Sequence, residues 1–240
     1  MFKTYRVLFV LCLLISLSLL VSPVSSANSA EPPSILIIVP GAPGDLEISI
    51  GSQGEYSPAN KTSKIFENYY TFYSRELKKS DVYTLKAATG GNSFEITMDG
   101  HLSGYNNIFT LDLKNQKLTP GKALPRSILL VSLRILLTLI TEGLIFFLFG
   151  YRRKASWLAF LSINLITQGA LNIWINGFAP LASYIIITLV FGEIMVLIAE
   201  LAAFLALVRE KGRFRLVLYV LTANLLSLVA GGYAITLLPI

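Results

Sequence analysis

Three glutamates in the second half of the chain stand inside long apolar runs, where a carboxylate is costly to keep. They are Glu142, Glu193 and Glu200. Carboxyl and carboxamide oxygens bind protons and hard cations, so this combination of residue types is the part of the sequence that could perform chemistry. The same runs hold one arginine, Arg134, and several carboxamides, of which four are candidate site residues: Asn164, Gln168, Asn172 and Asn224.

The spacing of these groups predicts one polar layer. Glu142 and Glu200 each lie seven residues before the end of an apolar run, and Asn164 and Asn224 lie seven or eight residues after the start of one. With a helical rise of about 1.5 Å per residue, all four side chains lie roughly 10–12 Å from the same boundary. Polar residues that recur every four positions, as in the second run, share one helix face.

Two interpretations of this polar layer stay open. In the first, the chain is a small permeation or sensing protein that responds to a proton or a cation. Glu142 and Glu200 bind the ion, Asn164 and Asn224 complete the site, and a pair of Arg134 and Glu193 gates the outer side. In the second, the same groups are interhelical hydrogen bonds that hold the bundle together or hold a membrane partner. The chemistry of the residues is compatible with both.

The elements that position these groups are four apolar runs at 127–149, 157–177, 183–207 and 216–237, within a domain of residues 126–240. Each run is long enough to cross a hydrocarbon core about 30 Å thick. The loops at 150–156 and 208–215 are basic, whereas the connection between the second and third runs has no Lys or Arg. The positive-inside bias therefore puts the two basic loops in the cytoplasm and the C-terminus outside.

The first 30 residues have the pattern of an export signal. Lys3 and Arg6 precede an apolar run that is short for a membrane span, and small residues follow Pro23. Cys12 is the only cysteine of the chain. A mature protein without this segment would have no thiol and no disulfide.

Residues 31–125 predict a small antiparallel β-sandwich, resembling the immunoglobulin-like class, outside the membrane. Short runs rich in β-branched and aromatic residues alternate there with Gly-, Asn- and Asp-containing turns. The predicted strands lie at 34–39, 45–50, 82–87, 93–98 and 107–113, and the aromatic segment 65–76 favours a sixth.

Three features of the second half resemble a family of bacterial four-helix integral membrane proteins with an N-terminal extracytoplasmic β domain. They are the stretch Thr141 to Lys154, the polar run Asn164 to Gln168 with Asn172, and the pair Glu193 and Glu200. The resemblance implies a bacterial plasma membrane. It implies no activity, because none is established for that family.

Several function classes are excluded by residue type. The apolar runs contain no His, Cys or Asp, and no phosphate-binding Gly-rich loop or dinucleotide motif occurs, so the sequence predicts neither an enzyme nor a cofactor or metal site. The net charge of +6 comes largely from the short loops, which argues against nucleic acid. The expected partners are membrane lipid, another copy of the chain or a membrane protein, and an extracytoplasmic protein or ligand.

Overall fold

The computed structural model describes residues 34–52, 55–73, 77, 82–98, 106–180 and 185–239. The predicted export signal lies outside these residues, as does the loop that holds His101. The described residues form two compact units. One is a β unit that ends at Arg126 and includes Leu237–Pro239, and the other is a helical unit of Ser127–Thr236.

Nine strands form two sheets in the described part of the β unit. They are β1 Ser34–Pro40, β2 Glu47–Ser52, β3 Glu55–Pro58, β4 Asn60–Ser63, β5 Glu67–Tyr73, β6 Tyr83–Thr89, β7 Asn92–Met98, β8 Asn106–Asp112 and β9 Lys117–Pro120. One sheet has the order β4-β5-β1-β8-β9, and the other has the order β3-β2-β6-β7.

The two sheets share one hydrophobic core. Alternate residues of the longer strands enter it, including Ile35 and Ile37 of β1, Ile48 of β2 and Leu85 of β6. This alternation is the period-2 pattern that a pleated strand imposes. The aromatic segment favoured as a strand is β5, and its Tyr70 belongs to this core.

One pairing departs from the predicted antiparallel arrangement. Six of the seven strand pairings among the described residues are antiparallel, but β1 and β8 run parallel, with Leu36 opposite Ile108. The six intervening strands provide the long crossover that a parallel pair requires. A local sequence pattern identifies a strand but does not indicate which distant strand pairs with it. The parallel pairing of β1 and β8 therefore could not be predicted from the sequence.

Four helices follow: α1 Leu124–Leu148, α2 Lys154–Asn176, α3 Ile185–Leu207 and α4 Arg213–Leu237. Each begins or ends within three residues of the predicted run. The starts of α1, α2 and α4 each lie three residues before the predicted position. At α1, Pro125 lies in the first helical turn rather than in the β domain, because proline lacks only an N–H that is unpaired there anyway.

All four helices are long and apolar enough to cross a membrane, with mean hydropathies of 2.1, 1.5, 2.4 and 1.7 in chain order. Their polarity is inverted relative to a water-soluble bundle. Large apolar side chains such as Leu129, Leu158, Ile187 and Val229 are more than half exposed, whereas the glutamates are buried. This arrangement is suited to a hydrocarbon environment, because lipid tails are as apolar as the leucine side chains that face them.

Helices α2 and α3 lie closest together. Gly192 of α3 permits this approach, because a Cβ atom there would clash with Cδ1 of Leu171 and lie 3.2 Å from the ring of Trp174. Small residues have this role at many membrane helix interfaces.

Candidate functional site: a buried polar layer between the helices

One polar side chain from each helix is buried at the same level of the bundle. Glu142 of α1 and Asn164 of α2 are 0% exposed, Glu200 of α3 is 1% exposed and Asn224 of α4 is 5% exposed. These four residues are the predicted layer. We use the name polar layer for them together with Thr167 and Ser227, the hydroxyl residues that contact them.

Glu200 joins three helices. Its Oε1 is 2.7 Å from Oγ1 of Thr167 on α2, and its Oε2 accepts a hydrogen bond of 2.7 Å from Nδ2 of Asn224 on α4. The second amide hydrogen of Asn224 goes to the main-chain oxygen of Val220 at 3.1 Å. Both oxygens of the Glu200 carboxyl therefore have partners.

Glu142 joins α1 to α4. Its Oε1 is 2.8 Å from Oγ of Ser227, which in turn lies 3.1 Å from the main-chain oxygen of Asn224. Glu142 and Glu200 are also electrostatic neighbours. The polar layer therefore ties all four helices together through two buried carboxyl groups.

Several oxygen atoms of this layer have no hydrogen-bond partner among the described residues. They are Oε2 of Glu142 and the amide oxygens of Asn164 and Asn224. The other polar atom of each side chain does form a hydrogen bond. For Asn164, the amide nitrogen donates to the main-chain oxygen of Phe160 at 2.9 Å. Unused lone pairs in a buried site favour a proton or a cation as an additional partner.

A second polar group lies one to two helical turns further from the basic loops. It comprises Gln168 and Asn172 of α2 and Glu193 of α3, all buried. Asn172 donates to the main-chain oxygen of Gln168 at 2.9 Å, and the Gln168 side chain lies beside Glu193. Neither atom of the Gln168 amide, nor Oε2 of Glu193, has a hydrogen bond among the described residues.

The predicted ion pair of Arg134 and Glu193 stays a prediction. Both residues are buried, and the described electrostatic neighbours of Glu193 are Glu200 and Gln168. The two residues were matched by depth alone. Depth does not set the direction of a side chain around its helix axis, and Glu193 shares the face of Glu200, seven residues away.

A cluster of stacked rings lies next to the polar layer, on the side of the loops 149–153 and 208–212. Phe146 is its centre, with the rings of Tyr151, Tyr219, Phe160 and Trp157 at 4.3, 4.9, 5.1 and 5.2 Å. Phe204 completes it at 6.1 Å. We call these six residues the aromatic layer.

The end of α1 builds the centre of this layer. Gly150 has a φ of +81°, and its N–H bonds to the oxygen of Phe147 while the N–H of Tyr151 bonds to the oxygen of Phe146. This pair of bonds is the Schellman motif, in which glycine supplies the left-handed residue. The motif brings Tyr151 back onto Phe146, and the two rings are parallel to within 4°.

The two basic loops are fastened to each other by Glu210. Its Oε1 accepts a hydrogen bond of 2.8 Å from the main-chain N–H of Arg152, and its Oε2 accepts one of 3.1 Å from that of Arg153, immediately before α2. Partial burial acts to raise the pKa of Glu210, but these hydrogen bonds outweigh it and hold that pKa below its ordinary value. A negative charge at a helix N-terminus is also favourable.

Thr167, Ser227 and Tyr219 were not among the predicted site residues. Thr167 and Ser227 lie three residues from Asn164 and Asn224 respectively, so the helical repeat indicates that they share the polar face. Tyr219 has the electrostatic neighbours Glu142 and Glu200. Its place close to an interface resembles that of an ordinary interfacial aromatic, and its burial could not be inferred from the sequence.

The described residues contain no group of three or more His, Cys, Asp or Glu side chains that could hold a metal ion. In the β unit, Arg126 donates to both carboxylate oxygens of Glu67 and to the hydroxyl of Tyr69, and this cluster is buried. A groove of about 460 Å³ also lies there, lined by Tyr56, Tyr70, Lys61 and Lys86 among others.

No protein-family model matches the chain, and no curated protein or solved structure matches it either. The fold and the site therefore define its class by themselves. A β region of two sheets precedes four helices that are long and apolar enough to span a membrane, with buried carboxyl groups between them. The family resemblance seen in the sequence stays a prediction.

Proposed function

We propose that the protein is a proton-responsive membrane protein, in which Glu142 and Glu200 take up and release protons inside the bilayer. The observation that carries this proposal is the pairing of each carboxyl group with a hydroxyl group that has two alternative hydrogen-bond acceptors. Such a site accommodates either protonation state without moving its heavy atoms.

Thr167 shows how this works. Its Oγ1 lies 2.7 Å from Oε1 of Glu200 and 3.0 Å from the main-chain oxygen of Ile163, but a hydroxyl group has one hydrogen to donate. When Glu200 is ionised, Thr167 donates to the carboxylate. When Glu200 is protonated, its O–H donates to Thr167, and Thr167 donates to Ile163.

Ser227 makes the same exchange at the other carboxyl group. Its Oγ lies 2.8 Å from Oε1 of Glu142 and 3.1 Å from the main-chain oxygen of Asn224. Two neighbouring carboxylates in an apolar interior repel each other and lack water, so at least one proton between them lowers the electrostatic energy. No basic side chain is hydrogen-bonded to either carboxyl group among the described residues, which supports a proton as the missing positive charge.

Thermal stability of the detergent-purified protein across pH tests this proposal. A carboxyl group that is protonated when folded binds more protons than the unfolded chain does above the ordinary carboxyl range, so stability falls as pH rises. We expect this slope in the wild type and a flatter profile in Glu142→Gln and in Glu200→Gln. The matched control is Glu210→Gln, which removes a carboxylate outside the membrane spans and keeps the slope above neutral pH.

Three outcomes separate the explanations. A slope that is lost in the Gln variants supports protonation. A wild-type stability that rises at high pH only when Na⁺ or Ca²⁺ is added means that the pair holds a cation instead. If stability does not change with pH and the Gln variants are as stable as the wild type, the polar layer only forms structural hydrogen bonds between the helices. That outcome contradicts the proposal.

A second candidate function is binding of an envelope protein or ligand by the β unit. The observation that favours it is the groove, whose volume of about 460 Å³ lies in the range of small-molecule sites. Its two lysines lie over tyrosine rings, Lys61 over Tyr70 at 5.8 Å and Lys86 over Tyr56 at 5.5 Å. Thermal-shift titration with soluble cell-wall fragments tests it. A shift that Lys86→Met abolishes and Lys117→Met keeps would support the groove, and no shift would contradict it.

We extend the proposal to topology and location. The basic loops 150–156 and 208–215 support a bacterial plasma membrane protein with the β unit and the C-terminus outside, exported by residues 1–30. In this proposal the β unit is an immunoglobulin-like sandwich, and the protein is not an enzyme. Trypsin added to intact spheroplasts should cut exposed sites of the β unit and spare both loops, and cleavage in the loops alone would invert the topology.

A further inference from the structure

Two buried hydroxyl groups in the aromatic layer have no hydrogen-bond partner among the described residues. They belong to Tyr219, which is 1% exposed, and to Tyr151, which is 0% exposed. A buried hydroxyl group without a partner destabilises a protein, and phenylalanine would fill the same space without that cost. The two phenols therefore need an explanation other than packing.

The positions of Tyr219 and Tyr151 suggest what the two phenols do. Tyr219 has Glu142 and Glu200 as electrostatic neighbours, whereas Tyr151 has Arg215 and Glu210, which belong to the basic end of the helical unit. The two rings contact each other, with centroids 5.8 Å apart. The phenols thus connect the polar layer to the loops.

The remainder of the aromatic layer is apolar and closely packed. On three helices its phenylalanines stand four residues from the polar layer: Phe146 from Glu142, Phe160 from Asn164 and Phe204 from Glu200. Four residues correspond to about 6 Å along a helix. These three phenylalanine rings are at most 1% exposed. The indole N–H of Trp157 is already bonded to the main-chain oxygen of Tyr151 at 3.2 Å, so the two phenols are the polar groups of this layer without a partner among the described residues.

We propose that Tyr219 and Tyr151 form a proton relay through the aromatic layer, between the carboxyl groups of Glu142 and Glu200 and the loop end of the bundle. Because neither hydroxyl group has a hydrogen-bond partner among the described residues, the proposed relay includes water molecules that bridge the phenols to each other and to the carboxyl groups. Each phenol accepts a proton at its oxygen from one water and gives its own hydrogen to the next. The number of protons on each tyrosine is therefore unchanged after every transfer, and no phenolate accumulates. This inference rests on the proposed function.

The groups that face the relay come from every packed element. Tyr219 faces Glu142 of α1 and Glu200 of α3, and Tyr151 faces Arg215 of α4 and Glu210 of the second basic loop. Helix α2 contributes hydroxyl and amide groups. On the far side of the polar layer, Gln168 and Glu193 have buried atoms without partners among the described residues, and in this proposal protons from the other side reach the carboxyl groups past them.

The test releases protons from a photolysed caged acid on one side of proteoliposomes and follows the infrared C=O band of protonated carboxyl groups. Trypsin cleavage of the loops reports the orientation of the protein. We expect Tyr219→Phe and Tyr151→Phe to slow the response at least tenfold when protons are released on the loop side. Release on the other side should give the wild-type rate, and the final amplitude should not change.

Tyr233→Phe is the matched control, since Tyr233 is 68% exposed on α4. Thermal stability provides a second readout, because a phenol without a partner should leave Tyr219→Phe as stable as the wild type or more so. A wild-type rate in both variants, equal slowing from both sides, or clear destabilisation by Tyr219→Phe would overturn the relay. A wild type without any pH-sensitive carboxyl band would overturn the proposed function and the relay with it.

Discussion

Oγ1 of Thr167 and Oε1 of Glu200 lie 2.7 Å apart and join helices α2 and α3 inside the polar layer. Thr167 would otherwise be an unremarkable helical threonine bonded to its own main chain. In the proposed function, this contact makes Thr167 the hydroxyl group that donates to an ionised Glu200 and accepts from a protonated one. The behaviour of this one side chain therefore separates a structural layer from a responsive one.

Thr167→Val keeps the shape of the side chain and removes the hydroxyl group. We expect it to lower the free energy of unfolding by about 1 kcal/mol, the usual scale of a hydrogen bond between membrane helices. The loss should be larger at high pH than at low pH, because an ionised Glu200 depends more on a donor than a protonated one does. Chemical denaturation at several pH values measures it.

Thr141→Val is the matched control for Thr167→Val. The hydroxyl group of Thr141 also bonds to its own main chain, at Leu137, but has no carboxyl partner among the described residues. Thr167→Val should lower the free energy of unfolding more than Thr141→Val does, especially at high pH. Equal losses of unfolding free energy at every pH would mean that the contact with Glu200 is unimportant.

Gly150→Ala tests the junction that brings Tyr151 onto Phe146. The φ of +81° at this position costs an L-residue about 1–2 kcal/mol, so the variant should unfold at a lower temperature and loosen the ring stacking. Gly169→Ala, inside α2 and with nothing within 4 Å of the added Cβ, should be neutral or stabilising. Similar losses in the two variants would contradict a specific role for the left-handed residue.

Much of this arrangement follows from sequence, and the reasons are physical. A membrane helix is apolar along nearly its whole length, so its bounds can be read from the sequence. The common depth of the polar side chains then follows from counting residues from the ends of each run: Glu142, Asn164, Glu200 and Asn224. The direction in which the Glu193 side chain points could not be predicted, because it depends on how each helix is rotated about its axis relative to its neighbours.

The strands show the same division. Interior strands such as β1 and β6 carry a strong apolar pattern, and they were predicted within two residues. The four-residue strands β3, β4 and β9 were missed because they lie at sheet edges, where most of their residues are exposed and no alternation is required. The Schellman motif at Gly150 was readable in principle, since Phe-Gly-Tyr ends an apolar run before a basic loop.

Glu210→Gln tests the fastening of the two basic loops. The folded pKa of Glu210 lies below its ordinary value, so its contribution to stability is present above the ordinary carboxyl range and is lost as pH falls through the folded pKa. We expect the variant to be less stable than the wild type at pH 7, and the difference to disappear once the pH is below the folded pKa of Glu210. Thermal unfolding at both pH values measures this, and a difference that persists in acid would show that charge is not the cause.

Infrared spectroscopy of the purified wild type beside the Glu142→Gln, Glu200→Gln double variant tests the central claim most directly. The account predicts a C=O band from protonated carboxyl groups at neutral pH that weakens reversibly as pH rises and is absent from the double variant. A folded wild type without that band, or with a band that pH does not change, would contradict a proton-binding pair at Glu142 and Glu200.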